Sequence, residues 1–233
     1  MQIVILAWWL GTRLRPITET IPKPMVEVDN KPFLFYQIEM LRKYWFTELL
    51  ILAWYLGDKI EDYFGDWSTF GVKIIYSYEI DKLLWTWGAL KLAEDKLENE
   101  FILINWDSYL WFDYNDLVTE FHKHPELCGL FTVYNNTGAT SNVKSNILLQ
   151  DWIIAKYEKW TEDPAFHYVD AGVIIIKKDI LKAIPSGVVL SLESDILQNE
   201  IDAKKIWYYE TNQMFYDIWT FDRLSIFKNI FSS

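Results

Sequence analysis

Leu6-Ala7-Trp8-Trp9-Leu10-Gly11-Thr12-Arg13-Leu14-Arg15-Pro16, followed by Pro22-Lys23-Pro24-Met25, leaves the end of a short apolar strand over residues 3–7. A loop at that place, with Arg13 and Lys23 in it, offers two separate cations beside the carboxyl end of a strand. It is not a dinucleotide-binding turn, whose third glycine opens a helix. It is not a Walker loop either, because no lysine follows its last glycine. With glycine at positions 8 and 9 the segment would be a Gly-rich loop whose backbone N–H groups could come close to phosphates.

Outward from this loop, the pattern alternates. Helical spacing over residues 32–44 (Phe33, Tyr36, Ile38, Leu41) leads to a strand over 48–53 and a short helix over 58–64. A strand over 72–78, a helix over 87–96 and a strand over 100–104 follow. Strand–helix alternation of this kind predicts an α/β fold with a mixed, mostly parallel sheet covered on both faces. The second half is less regular. It reads as a helix over 114–124, strands over 130–135, 146–149, 153–158 and 171–176, a short helix over 179–184, a helix over 192–203 and a strand over 205–210.

The formal net charge of −11 argues against a protein that coats nucleic acid, which needs a broad basic face. No run of 18 apolar residues predicts a membrane span. The N-terminus lacks the basic flank of a secretory leader. A single cysteine, Cys128, excludes an internal disulfide, and its place in an apolar run predicts a buried thiol. Together these predict a cytoplasmic protein.

Thirteen tryptophans accompany only 9 glycines in 233 residues, roughly 4% glycine against a usual ~7%. The tryptophans fall where turns call for glycine. Trp45 follows a helix at the position that favours a left-handed residue. Asp151-Trp152 joins two apolar strands, where Asp-Gly is the common tight turn. Trp54, Trp67 and Trp160 hold similar loop positions. A Cβ disfavours positive φ. One explanation is a UGA codon, glycine in some genetic codes, read here as tryptophan. Replacing about eleven tryptophans would restore a normal glycine content. The other is that the tryptophans are genuine in a degenerate or engineered chain. Trp111 and Trp207 fit the first explanation least well.

The non-glycine elements of the loop, with Pro32-Phe33-Leu34, Tyr55-Leu56-Gly57, Leu84-Trp85-Thr86-Trp87-Gly88-Ala89-Leu90, Asn105-Trp106-Asp107-Ser108 and Phe215-Tyr216-Asp217-Ile218-Trp219-Thr220, resemble the sugar-phosphate nucleotidyltransferase family. Six tryptophans in these signatures stand where that family has glycine. The resemblance covers nearly the whole chain and is closest to the heptose- and mannose-1-phosphate guanylyltransferase-like branch. It implies a three-layer, Rossmann-like (GT-A-type) fold, with a nucleotide lobe over 1–112 and a sugar-phosphate lobe over 113–233. The implied reaction joins a nucleoside triphosphate to a sugar 1-phosphate, giving an NDP-sugar for surface polysaccharide and pyrophosphate.

The resemblance also implies roles. Leu6, Ala7, Trp8, Trp9, Gly11, Thr12, Arg13, Lys23, Glu79 and Gly88 would bind the nucleotide, with Arg13 and Lys23 catalytic. Glu79 departs from the glutamine of many relatives, which leaves the base open. Asn146, Glu158, Lys159, Asp170 and Gly172 would bind the sugar phosphate, although Glu158-Lys159 read alone is a solvated charge pair. Asp107, at the end of a strand, and Asp217 would hold a catalytic Mg2+. The three histidines take no part. No nucleic acid or membrane partner is implied, and a homo-oligomer is compatible with the sequence. Two alternatives remain. One is a cytidylyltransferase acting on a phosphorylated alcohol. The other, favoured if Trp8 and Trp9 are genuine, is a non-catalytic nucleotide-sugar-binding protein.

Overall fold

The structure is a computed structural model that describes all residues except 8–10, 138–140, 142, 151–152, 160, 193–194 and 232–233. The first half runs β1 (Gln2–Ala7), β2 (Glu27–Val28), β3 (Lys31–Pro32), α1 (Phe33–Lys43), β4 (Glu48–Ala53), α2 (Asp58–Phe64), β5 (Lys73–Tyr78), α3 (Trp85–Leu92), β6 (Glu100–Asn105) and β7 (Ser108–Leu110). The second half adds α4 (Tyr114–His122), β8 (Gly129–Asn135), β9 (Ile147–Gln150), β10 (Ile153–Tyr157), β11 (Tyr168–Lys177), α5 (Asp195–Asp202), β12 (Ile206–Thr211), β13 (Phe215–Asp217) and α6 (Phe221–Phe231).

Among the described residues a nine-stranded sheet forms the centre, ordered β10-β9-β11-β6-β1-β4-β5, with β8 on β11 and β12 on β8. Strands β6, β1, β4 and β5 are parallel, β11 runs against β6, and β8 and β9 run against β11. Strand β12 is parallel to β8, and β10 returns against β9. Only β10 and β11 therefore oppose the other strands, so the sheet is mixed and mostly parallel. All six residues of β1 are buried, as both faces of a covered parallel strand require.

The chain moves outward from β1 to β4 and β5, then returns past both to β6 on the far side of β1. Crossovers between parallel strands are right-handed as a rule, and under that rule the change of direction sends α1 and α2 to one face and α3 to the other. The strand order reverses between β1 and β6, and a crevice opens there beyond the carboxyl ends of the strands.

Strand β11 carries the second half into the same sheet by pairing Val173 through Lys177 with β6. The predicted helices over 87–96 and 179–184 are shorter or tighter than expected: α3 ends at Leu92 before a 3-10 turn (Glu94–Lys96), and the second is a 3-10 helix (Lys178–Ala183). Cys128 is only half-buried, with its thiol beside Glu200 and the Lys205 carbonyl, because it lies just ahead of β8 rather than within it. Among the described residues no helix is long and apolar enough to cross a membrane.

Candidate functional site

Two carboxylates 110 positions apart meet because two very short strands pair. Strand β6 ends at Asn105, and the chain turns through Trp106 and Asp107 into β7. Strand β13 lies antiparallel on β7 with Asp217 opposite Ser108. The Ile218 N–H donates to the Asp107 carbonyl at 3.2 Å, which closes the contact. Asp217 Oδ1 accepts from the Trp219 N–H at 2.8 Å, and its Oδ2 accepts from Arg223 on α6 at 2.7 Å.

The turn is braced from below. Gln37, fully buried on α1, donates to the Asn105 and Ser108 carbonyls at 3.0 and 2.6 Å. Gly172 lies on its other side with φ 79, and a Cβ there would sit 2.3 Å from Ser108 Oγ. A register shift in β11 between Asp170 and Ile174 accompanies this close approach.

Lys23 comes from the loop after β1. It sits in a 3-10 turn (Lys23–Met25) and is only 1% exposed. Burial pushes its ammonium down to about 8, while the nearby Asp107 and Asp217 pull the other way. Burial pushes the Asp107 carboxyl up to about 7; Asp217 adds to that rise, and Lys23 and Lys159 oppose it. Arg13, in the 3-10 turn Thr12–Leu14, adds a second positive charge near Lys23. Gly11 has φ 62, its carbonyl accepts from Thr18 Oγ1 at 2.7 Å, and a Cβ on it would crowd Thr18 and Lys23. Trp8 and Trp9, named from the sequence, lie outside the described residues.

A cavity of about 370 Å³ opens over these groups. Leu6, Thr86, Asn105, Asp107 and Ser108 line it from the first half; Lys144, Asn146, Tyr157, Lys159, Asp170, Asp217 and Arg223 line it from the second. Asn146 and Asp170 are tied together, since Asn146 Oδ1 accepts from the Asp170 N–H at 2.9 Å. Asp170 also accepts from the Tyr157 hydroxyl and the Gly172 N–H. Glu158 pairs with Lys156 and is not among the lining residues.

Glu79 and Gly88, named from the sequence for the nucleotide, are not among the lining residues. Glu79 is buried, its Oε2 accepts from the Leu84 N–H, and its Oε1 has no hydrogen-bond partner among the described residues. Burial pushes this carboxyl up to about 7. Gly88 lets α3 pack against the 188–190 segment, because a Cβ there would meet the Val188 carbonyl at 2.3 Å.

The chemistry of this pocket is that of an anion site with two hard oxygen donors. Among the described residues no cluster of three metal-ligating side chains exists. A buried carboxylate beside a half-buried one nonetheless suits a magnesium ion that shares its other positions with phosphates and water. Arg223 and Gln37 were not singled out from the sequence. Arg223 is separated from its partner by only six residues, but nothing local says that α6 turns it back. A wider depression of about 900 Å³ around Met1, Glu98, His122 and Lys177 gathers no buried charged group.

A family model described as nucleotidyl transferase matches residues 2–226. A D-glycero-alpha-D-manno-heptose 1-phosphate guanylyltransferase of Campylobacter jejuni is 31% identical over 199 residues, covering 85% of this chain and 86% of that one. The protein of the same name from Aneurinibacillus thermoaerophilus is 30% identical over 220 residues, covering 94% and 93%. A UTP–glucose-1-phosphate uridylyltransferase of Synechocystis is 30% identical over 224 residues, but the match spans only 57% of its length. Among solved structures, HddC from Yersinia pseudotuberculosis complexed with GMP-PN superposes with a TM-score of 0.79 at 26% identity, covering 99% of both chains.

Proposed function

The chain belongs to the nucleotidyltransferase family, and from that premise we propose that it joins a nucleoside triphosphate to a sugar 1-phosphate, forming an NDP-sugar and releasing pyrophosphate. The observation that carries this reading is the pair Asp107 and Asp217 lining one cavity at the strand-order reversal, with both carboxylates acting on the buried ammonium of Lys23.

An oxygen of the sugar phosphate attacks the α-phosphorus. A new P–O bond forms, the bond to the β-phosphate oxygen breaks, and pyrophosphate leaves with the electron pair. The attacking oxygen is already anionic, so no side chain need remove a proton. What the protein supplies is position and countercharge. Lys23 lies buried against both carboxylates and serves as a fixed positive charge for phosphate oxygens. Arg13 offers a planar fork to the leaving group. Lys159, Asn146 and Asp170 form the wall assigned to the sugar phosphate, and Leu6 and Thr86 the wall assigned to the nucleotide. Asp107 and Asp217 would hold Mg2+, which when bound neutralises charge on the phosphates. The nucleotide is assigned to residues 1–112 and the acceptor to 113–233.

The finer assignment is a guanylyltransferase acting on a heptose or mannose 1-phosphate. It is supported by the two heptose 1-phosphate guanylyltransferases that this chain matches over nearly their full lengths. Asp107→Asn and Asp217→Asn test the site. Each should lower magnesium-dependent turnover by at least ~10²-fold, the scale of losing one preorganised electrostatic group, with little change in Tm. Full turnover in either variant removes that residue from the metal site.

A further inference from the structure

Three tryptophans hold backbone conformations that a Cβ disfavours: Trp45 at φ 67, Trp67 at φ 50 and Trp85 at φ 63. Among the described residues seven non-glycines have positive φ. Two are Asp29 and Asn30, residue types whose side chains tolerate it. Tryptophan accounts for three of the other five, although it supplies 13 of 233 residues.

Trp45 is the clearest case. The Phe46 N–H donates to the Leu41 carbonyl at 3.1 Å and the Trp45 N–H to the Arg42 carbonyl at 3.0 Å. That pair of bonds is the Schellman ending of α1, and it puts Trp45 at the position glycine normally holds. Its side chain is 86% exposed, so little packing offsets the backbone strain.

A separate observation comes from the cavity. Lys23 Nζ lies 4.3 Å from the Trp106 ring centre and 4.5 Å from that of Trp219. The Arg13 guanidinium lies 4.6 Å from the Trp219 ring. Both rings line the cavity and stack on each other at 6.3 Å. Of the two cations that face phosphate in the proposed reaction, Lys23 is thus buried against both indoles, and the exposed Arg13 has one of them against its guanidinium.

We infer that the functional protein carries glycine at positions 45, 67, 85, 106 and 219, because the codon read there as tryptophan is read as glycine in the cell that makes it. Such a codon is UGA, which different genetic codes assign to stop, tryptophan or glycine. Positions 45, 67 and 85 rest on backbone geometry alone. Positions 106 and 219 rest on the proposed function. Removing both indoles bares Lys23 to the cavity and frees the Arg13 guanidinium from Trp219, and removing three Cβ atoms relieves three left-handed turns. Trp207 does not belong to this group. It lies in the extended strand β12, where the backbone puts no penalty on a Cβ.

Peptide mass spectrometry of the protein purified from its own organism tests this directly. Tryptic peptides 44–59, 83–91 and 206–223 contain positions 45, 85 and 219, and the last also contains 207. Glycine is expected at 45, 85 and 219, with tryptophan kept at 207 in the same peptide as glycine 219. Tryptophan at 45, 85 or 219 overturns the inference, whatever becomes of the proposed reaction. A recombinant test needs no native source. Trp45→Gly should raise the folding equilibrium constant by about 5–30-fold, whereas Trp45→Ala, which keeps a Cβ, should not. Equal effects of the two replacements would contradict a backbone origin.

Discussion

Glu79 shows how a single buried acid can be checked without any substrate. Its carboxyl has an ordinary value of 4.5 and is raised to about 7 in the fold by burial, partly opposed by the Leu84 N–H bond. Between those values the folded protein keeps a proton that the unfolded chain has released. Glu79 therefore makes stability fall as pH rises from about 4.5 to about 7. Glu79→Gln removes that titration and keeps an acceptor for Leu84. Its gain in Tm over the parent should be larger at pH 8 than at pH 5, and an equal gain at both would show that the carboxyl is not shifted. Arg13 is tested by its closest substitute. Arg13→Lys keeps the charge but loses the fork, so steady-state turnover should stay well below that of the parent. Parental turnover in this variant would remove Arg13 from the leaving-group role. The candidate carboxylates were legible in the sequence only through the family resemblance. Asp107 after a strand looks like any turn residue, and nothing near Asp217 announces a partner 110 positions earlier. Gln37 was hidden for the opposite reason: a polar side chain on the buried side of α1 reads as an exception until its two carbonyl partners are seen.

The elements that were easy to read were those whose burial is periodic or complete. Strands β1 and β4 are apolar throughout after their first residues, Gln2 and Glu48, and α1 repeats its apolar residues at helical spacing. Those that escaped were short or at the end. Strands β2 and β3 have two residues each and β7 three, whereas β13, also of three, is legible as a strand-like segment closed by Asp217. No alternation can be seen in so few residues, and their pairing is set by distant chain. Helix α6 buries Leu224 and Phe227, three apart, which was a usable signal. The contact between β11 and β7 makes its own prediction. Gly172→Ala would place a Cβ at 2.3 Å from Ser108 Oγ on a backbone of φ 79. It should cost at least about 2 kcal/mol, by overpacking and backbone strain together, and be seen as a lower midpoint in urea. Turnover should fall as well, because the displaced turn carries Asp107. An unchanged midpoint would mean that β11 does not hold the turn in place.

At the scale of the whole molecule, alternating strands and helices were enough to predict a mostly parallel sheet, and the observed β5-β4-β1-β6 order fits that reading. The strand order itself was not legible, since nothing in β6 says that it lies beside β1 rather than β5. Topology is what turns scattered residues into a site: the reversal at β1 and β6 opens the crevice, and β11 and β13 bring the second half to its rim. The protein with glycine at positions 8, 9, 85, 87, 106 and 219 should be incubated with Mg2+, each of the common nucleoside triphosphates and a panel of sugar 1-phosphates, and the nucleotide products weighed by mass spectrometry. An NDP-sugar formed together with pyrophosphate, only when a sugar 1-phosphate is present, and lost in Asp107→Asn, is the predicted result. No NDP-sugar from any pair, with triphosphate still binding the cavity, would contradict it and leave a nucleotide-binding protein without transfer.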